Sequence, residues 1–335
     1  MTPPAAALGT VATVAEDGAG QAPLLVRDRA ALAGARAAMT GRVAVVMTMG
    51  ALHDGHVSLV RLARRHADHV VVTVFVNPLQ FGPGEDLDAY PRTLDADLAV
   101  CAAEGVDLVF APTAREVYPN GVPSVRVAAG ELGTRWEGAS RPGHFDGVLT
   151  VVLLLLHLVR PDLAVFGRKD RQQLALVGRM ADDLATGVAV LAGDTVRESD
   201  GLARSSRNAY LDAAGRTTAA ALPRAGRQAA AAAAAGAAAP AVLAAAVREL
   251  RAPGVRTDYC ALVDTADLRE VPDDHSGPAV LLLAARVGRT RLVDNVDLRI
   301  TPAADPDPDP DPGADPDAEP ALRPAHSPRS QERAL

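Results

Sequence analysis

The chain has 335 residues and is poor in lysine, cysteine and aromatic side chains. Lys169 is the single lysine among 34 basic residues, so every other permanently positive side chain is an arginine. The two cysteines, Cys101 and Cys260, are far apart in sequence, which argues against a disulfide framework and favours a reducing compartment. Positive charge is not in excess either, because the net charge is −7, and this argues against a protein that coats nucleic acid.

The sequence also lacks a long apolar run and a recognisable targeting segment. The longest apolar run, residues 148–159, contains His157 and is shorter than the roughly 20 residues needed to cross a bilayer. Residues 1–21 have no basic start followed by an apolar core, which a secretory signal requires. We therefore expect a cytoplasmic protein with no membrane partner and no nucleic-acid partner.

Short runs of β-branched residues alternate with segments of helical periodicity as far as about residue 195. This alternation predicts a parallel, doubly wound sheet of the Rossmann-like α/β class. The strands are predicted at residues 43–48, 70–76, 106–110, 163–166 and 188–191. We also expect a helix over residues 24–40 and a short strand over residues 124–127.

The pattern changes near residue 196. A polar stretch is followed by alanine-rich helices over residues 213–250 and by strand candidates at 257–263 and 279–285, which indicates a smaller α+β C-terminal domain. The composition of both termini is typical of disorder. The predicted division is a disordered arm at 1–22, a nucleotide-binding domain at 23–195, a C-terminal lid domain at 196–300 and a disordered Asp/Pro-rich tail at 301–335.

The segment Met49-Gly50-Ala51-Leu52-His53-Asp54-Gly55-His56 joins the first predicted parallel strand to a segment of helical periodicity. In the first turn of a helix, a spacing of three directs His53 and His56 to the same side. The start of a helix also presents unpaired N–H groups and the positive end of the helix dipole. This pattern predicts a phosphate site; the alternative is a pair of histidines that cap the helix. Zinc is disfavoured because no cysteine or third histidine lies nearby.

Two further polar segments follow predicted strands, at residues 77–80 and 167–170. The carboxyl ends of parallel strands meet at one edge of a sheet, where ligands bind, so we expect Lys169 to share a crevice with the two histidines. An ammonium and two imidazoles can stabilise charge that develops on phosphorus. The survival of one lysine in an arginine-rich chain supports a role for it, although chance is the alternative.

Neutral amides lie close to these segments. Gln80 and Gln173 can orient a hydroxylated substrate, or they can be ordinary surface amides. Asn77, which precedes a proline, is equally explained as a strand stop. Ser205-Ser206-Arg207 supplies two hydroxyls and a guanidinium that can close over a triphosphate, or it can simply cap a helix.

Taken together, these motifs resemble a known family. His53-Asp54-Gly55-His56 is similar to the HIGH signature of nucleotidylyltransferases related to class I aminoacyl-tRNA synthetases, and Ser205-Ser206-Arg207 is similar to their second phosphate-binding signature. More narrowly, the order and spacing of several segments between about residues 24 and 300 resemble the pantothenate synthetase (pantoate–β-alanine ligase) family. These segments are residues 49–56, 75–82, 140–145, 166–173 and 195–211.

The resemblance implies a ligase that makes pantothenate in two steps. Pantoate would attack the α-phosphorus of ATP to give pantoyl adenylate and pyrophosphate, and β-alanine would then displace AMP. The resemblance also implies that Mg²⁺ arrives with ATP, that the protein has no resident metal site, and that it forms a homodimer.

The resemblance also assigns roles to residues. His53, His56 and Lys169 would be catalytic, with His56 as the proton donor. Gln80, Gln173 and Asn77 would bind pantoate and β-alanine. The ATP site would comprise Met49, Gly50, Ala51, Leu52, His53, Asp54, Gly55, His56, Gly167, Arg168, Lys169, Asp170, Val196, Arg204, Ser205, Ser206 and Arg207.

Three arginines depart from the family pattern. The family usually has an acidic residue in place of Arg168, an aromatic residue in place of Arg171, and Met or Leu in place of Arg204. Extra cations near the crevice could tighten ATP binding or slow pyrophosphate release. On the outer surface of the domain they would have little effect on either. Two alternatives therefore stay open: a degenerate paralogue that binds nucleotide without turnover, and another adenylyltransferase of the same superfamily.

Overall fold

A computed structural model describes residues 22–85 and 87–302. Within them, the larger sheet has six strands, all parallel, in the order β1-β4-β3-β2-β5-β6. The strands are β1 (Leu24–Val26), β2 (Val43–Thr48), β3 (His69–Val74), β4 (Leu108–Phe110), β5 (Leu163–Gly167) and β6 (Ala189–Gly193). The strand order reverses between β2 and β5, and this switch point is where open parallel sheets bind ligands.

Helices cover both faces of this sheet. They are α1 (Arg29–Ala38), α2 (Asp54–His66), α3 (Leu94–Ala103), α4 (Ala114–Val117), α5 (Trp136–Ser140), α6 (His144–Val159) and α7 (Arg171–Asp183). Because side chains alternate along a strand, Val43 and Val45 of β2 pack on the side of α6, whereas Ala44 and Val46 pack on the side of α2. Burial on both faces explains why β2 is a continuous apolar run.

A second, smaller unit follows β6. Its helices are α8 (Ala213–Ala219), α9 (Ala221–Ala234) and α10 (Ala239–Leu250), and its antiparallel strands are β7 (Val255–Asp264), β8 (Gly277–Val287) and β9 (Thr290–Ile300). Small residues let α9 lie close to β9, because a Cβ on Gly226 would stand 2.7 Å from Val296 Cγ2. The predicted fold class is confirmed, while the domain boundary at residue 196 stays a prediction.

Two local predictions are wrong. The segment predicted as one helix over 24–40 begins as the edge strand β1, which pairs with β4, and the helix starts only after Asp28 accepts a hydrogen bond from Ala31 N–H at 2.8 Å. The segment 124–127 forms no strand, because the Val127 N–H donates to the Thr150 hydroxyl at 3.0 Å instead of to a neighbouring strand.

One strand was also missed. The polar residues of 291–295 hid β9, which alternates between buried and less buried residues at its two ends and pairs along its whole length with β8. Of the two predicted disordered ends, residues 1–21 and 303–335 lie outside the described residues. Among the residues that are described, no helix is both long and apolar enough to cross a membrane.

Candidate active site

The turn after β2 carries the two predicted histidines. Gly50 and Ala51 both have positive φ angles, of 84° and 52°. The Gly50 N–H donates to the Thr48 hydroxyl at 3.1 Å, and the N–H groups of Ala51 and Leu52 donate to the carboxylate of Asp97 on α3 at 3.1 and 2.8 Å. Hydrogen bonds to side chains, and not backbone-to-backbone hydrogen bonds, therefore stabilise the conformation of this turn.

His53 and His56 close the start of α2. The Nδ1 of His53 accepts from Gly55 N–H at 3.1 Å, and the Nδ1 of His56 accepts from His53 N–H at 3.3 Å. The two rings lie 4.1 Å apart between centroids. Because both Nδ1 atoms are acceptors, a neutral ring must carry its proton on Nε2. The histidines are thus helix caps, as the alternative interpretation held, and each keeps an Nε2–H donor as well.

Burial, together with nearby positive charge, keeps both rings neutral at pH 7. Burial and the adjacent Lys169 and Arg204 lower the pKa of His53 to about 4. Burial, with contributions from His53 and Lys169, lowers the pKa of His56 to about 3. The two imidazoles therefore offer neutral N–H donors, and an anion bound between them would raise both pKa values.

Lys169 lies across the switch point, in a short 3-10 turn at the end of β5. Its ammonium is 3.1 Å from a carboxylate oxygen of Asp170. The second sheet holds this turn, because the side-chain amide of Asn295 on β9 donates to the carbonyl oxygens of Arg168 and Lys169 at 2.9 Å each. The structure thus brings Lys169 to the same cavity as His53 and His56.

That cavity measures about 240 Å³ and adjoins a cleft of about 910 Å³ that reaches the C-terminal unit. Fifteen of the predicted residues line the cavity wall: Met49, His53, Gly55, His56, Asn77, Gln80, Gly167, Lys169, Asp170, Gln173, Val196, Arg204, Ser205, Ser206 and Arg207. The other five predicted residues are not part of that wall: Gly50, Ala51, Leu52, Asp54 and Arg168.

Asn77 and Gln80 form one side of the cavity. The Asn77 amide nitrogen donates to Gln80 Oε1 and to the carbonyl of Gly147, both at 3.1 Å, and its oxygen accepts from Tyr118 OH at 2.8 Å. The Gln80 amide nitrogen in turn lies 3.1 Å from the sulfur of Met49. Asn77 is 1% exposed, and its donors are used within the protein, so it orients Gln80.

The backbone of Gln80 has its own supports, which the sequence analysis did not identify. Its carbonyl oxygen accepts from His144 Nδ1 at 2.8 Å and from Arg141 at 3.2 Å. The Arg141 guanidinium also pairs with Glu85 and lies 3.1 Å from His144 Nε2. Burial and the charge of Arg141 lower the pKa of His144 to about 4. The one sequence signal was segment 140–145, which belongs to the family resemblance.

Two adjacent glutamines on α7 have different surroundings, one inside the protein and one at the cavity. Gln172 is buried, where its amide donates to the carbonyls of Leu132 and Arg135 at 2.7 and 2.9 Å. Gln173 lines the cavity, and its side-chain amide has no hydrogen-bond partner among the described residues. Its amide can therefore bind a ligand, in contrast with that of Asn77.

The loop after β6 closes the opposite side. Arg197 binds the buried carboxylate of Asp294 on β9 through two hydrogen bonds of 2.7 and 2.9 Å, which ties the loop to the second sheet. The Ser205 hydroxyl accepts from Arg207 N–H at 3.3 Å and so caps the 3-10 turn Ser206–Tyr210. Ser205 thus caps this turn and also lines the cavity.

All three arginines that depart from the family pattern have carboxylate partners, so the charge that each one adds is balanced locally. Their partners are Asp194 for Arg168 (3.2 Å), Asp297 for Arg171 (3.0 Å), and both Asp54 (3.0 Å) and Glu198 (3.3 Å) for Arg204. Of the three arginines only Arg204 lines the smaller cavity, which Asp194, the partner of Arg168, also lines.

Comparisons with known proteins identify the family of this chain. A family model described as pantoate-beta-alanine ligase matches residues 25–297. A pantothenate synthetase from Acidothermus cellulolyticus is 58% identical over 290 residues, which cover 86% of this chain and 95% of that protein.

Two solved structures share the fold across most of the chain. The crystal structure of pantothenate synthetase from Thermus thermophilus has a TM-score of 0.79 and 46% identity, and the match covers 83% of this chain and all of that one. Pantoate-beta-alanine ligase from Francisella tularensis, complexed with beta-gamma ATP and beta-alanine, has a TM-score of 0.69 and 30% identity, with 82% and 97% covered. The chain therefore belongs to the pantoate–β-alanine ligase family.

Proposed function

We propose that this chain joins pantoate to β-alanine in two steps through an enzyme-bound pantoyl adenylate. As a member of its family it is a ligase, and its activity is the ATP-dependent condensation that yields pantothenate. One observation carries the proposal for the site: His53, His56 and Lys169 line a single cavity together with Gln80 and Gln173. The same cavity thus contains hydrogen-bond donors that can bind phosphate and amides that can bind a hydroxylated acid.

In the first step, a carboxylate oxygen of pantoate attacks the α-phosphorus of ATP, and the bond to the β-phosphate oxygen breaks, which releases pyrophosphate. The Nε2–H groups of His53 and His56 donate to phosphate oxygens, and the Lys169 ammonium neutralises the charge that grows on them. Ser205, Ser206 and Arg207 approach from the opposite loop, and Arg204, whose charge Asp54 and Glu198 balance, lines the cavity beside them. The backbone turn containing Gly167, which lines the cavity, lets the nucleotide lie close to the chain.

The amides position the acid in this scheme. Gln173, with its free amide, and Gln80, which Asn77 orients, hold the hydroxyl groups and carboxylate of pantoate. In the second step the amine of β-alanine attacks the acyl carbon of the adenylate, the bond to AMP breaks, and the amine loses a proton. Holding both reactants in one cavity makes each attack effectively intramolecular.

We propose that Mg²⁺ enters as part of the nucleotide substrate. The groups facing the cavity are mostly hydrogen-bond donors, whereas Mg²⁺ prefers oxygen ligands and is usually held by substrate phosphates and water. No group of three or more metal-binding side chains occurs among the described residues. The triphosphate itself would therefore hold the ion.

A homodimer in the cytoplasm completes the proposal. Val122 and Val125 are 66% and 84% exposed at bends of an irregular segment, which supports a contact with a second copy. The thiols of Cys101 and Cys260 are both free, as suits a reducing compartment. Light scattering on the purified chain would report twice the mass of one chain, and a monomer would contradict the proposal.

Exchange of labelled pyrophosphate into ATP tests the first step directly. We expect exchange that needs pantoate and does not need β-alanine, and mass spectrometry should find equal amounts of AMP and pantothenate once β-alanine is added. ATP binding in calorimetry without formation of AMP would identify a degenerate paralogue. Exchange with a phosphorylated acceptor but not with pantoate would identify another adenylyltransferase.

A further inference from the structure

A buried carboxylate outside every motif supports the histidine turn. Asp97 lies in the first turn of α3 and is 2% exposed. Its two oxygens accept the N–H groups of Leu52 at 2.8 Å and of Ala51 at 3.1 Å, and the Thr93 hydroxyl lies 3.3 Å from the second oxygen. Burying a carboxylate is costly unless such donors surround it, so this arrangement needs all of its partners.

The turn needs the carboxylate in return. Ala51 has a φ of 52°, a left-handed conformation that alanine rarely adopts, and Gly50 before it has a φ of 84°. A side chain on Gly50 would be crowded as well as strained, because its Cβ would stand 3.0 Å from Asp97 Oδ2 and 3.1 Å from Val74 Cγ1. The carboxylate therefore occupies the space that the turn leaves and compensates for its unfavourable backbone.

The same turn sets where α2 begins. Leu52 is followed directly by His53, whose N–H donates to the Nδ1 of His56, and Gly55 N–H donates to the Nδ1 of His53. These two bonds determine which ring nitrogen carries the proton and where each Nε2–H points. A shift of the Ala51-Leu52 peptide would move both rings.

We propose that Asp97 is a positioning residue for adenylation, one that fixes the direction and tautomer of His53 and His56 without touching the substrate. The proposal rests on the phosphate-binding role proposed for these histidines. If they act on charge that develops in the transition state, losing the support lowers kcat and leaves the binding of pantoate unchanged.

The test compares Asp97→Asn with Asp95→Asn. The amide introduced by Asp97→Asn would keep an acceptor for Leu52 but turn an NH₂ group toward the Ala51 N–H, whereas Asp95 is exposed on the same helix turn and serves as the matched control. Because displacements of about 1 Å cost about 10²-fold in rate, we expect kcat for pyrophosphate exchange to fall by about 10- to 100-fold in the Asp97→Asn variant. The KM for pantoate should stay within about twofold, and the control should match wild type.

A second readout separates positioning from simple loss of stability. In ¹⁵N NMR of the imidazoles, wild type should show two rings protonated on Nε2, and Asp97→Asn should show mixed tautomers. A folded Asp97→Asn protein with wild-type kcat and wild-type ring spectra would overturn the proposal. This readout does not depend on the reaction, so a failure of pantoate-dependent exchange in wild type would refute the proposed function separately.

If the Asp97→Asn variant does not fold, the Thr93→Val variant tests the role of Asp97 instead. It keeps the shape of the side chain and removes only the hydroxyl bond to Asp97. We expect a fall of a few-fold in kcat with altered ring spectra. Wild-type values in both measurements would then reject the role of Asp97.

Discussion

Gly55→Ala should separate activity from stability more clearly than any other single change in the site. Gly55 lies in the first turn of α2 with a φ that alanine can adopt, so the backbone does not oppose the substitution. A Cβ there would stand 2.8 Å from Cε1 and 2.9 Å from Nδ1 of His53. Those atoms belong to the far end of a side chain that can rotate away, so the fold can absorb the change.

The magnitude follows from that contact. Carbon atoms pack at about 3.5–4.0 Å, so the ring of His53 must move by roughly 1 Å. Because such a displacement of a catalytic group costs about 10²-fold, we expect kcat/KM for ATP in pyrophosphate exchange to fall by about that factor, or about 2.7 kcal/mol in activation free energy. Replacing glycine by alanine in a helix adds up to about 1 kcal/mol of stability, and weakening the cap bond from Gly55 N–H to His53 costs about as much, so the Tm should change little.

The control is Gly34→Ala on α1, where nothing lies within 4 Å of the new Cβ. It should show the same or a higher Tm and wild-type exchange. The reasoning would be refuted if Gly55→Ala exchanged pyrophosphate at the wild-type rate. It would also be refuted if the variant lost activity only in proportion to a loss of folded protein.

Three further outcomes are expected. Lys169→Ala should lower exchange about 10²- to 10³-fold with little change in Tm, because a cavity ammonium acts on transition-state charge; a near-wild-type rate would remove Lys169 from the mechanism. Arg204→Met should change the KM for ATP by less than about fivefold, since Asp54 and Glu198 already balance its charge; a larger change would mean that Arg204 binds the nucleotide directly. Acid should destabilise the fold. The pKa of His144 is about 4 in the folded protein but 6.5 in the unfolded chain, so as the pH falls through 6.5 the unfolded chain takes up a proton on His144 that the folded protein does not. Denaturant titration should then show a loss of stability at pH 5 to which His144 contributes about 2 kcal/mol, and His144→Gln should lose correspondingly less; an equal loss in both proteins would contradict this assignment.

The sequence alone was sufficient for the fold class and for placing the candidate site residues at one edge of the sheet. Apolar runs specify β2 and β5 locally, and parallel pairing brings their carboxyl ends to one edge of the sheet. His53, His56 and Lys169 directly follow these strands, so their meeting required no knowledge of distant contacts. The edge strand β1 and the strand β9 were missed because polar or helix-forming neighbours obscure short or half-exposed strands.

Only the tertiary structure decided what supports those residues and what charge they carry. Asp97 reaches the histidine turn from α3, and Asn295 reaches the Lys169 turn from β9, more than a hundred residues away. No local pattern encodes such contacts, since they depend on how helices and sheets pack. The same holds for the low pKa values of the histidines and for the pairing of Arg204 with Asp54, because burial and charge neighbours exist only in the folded chain.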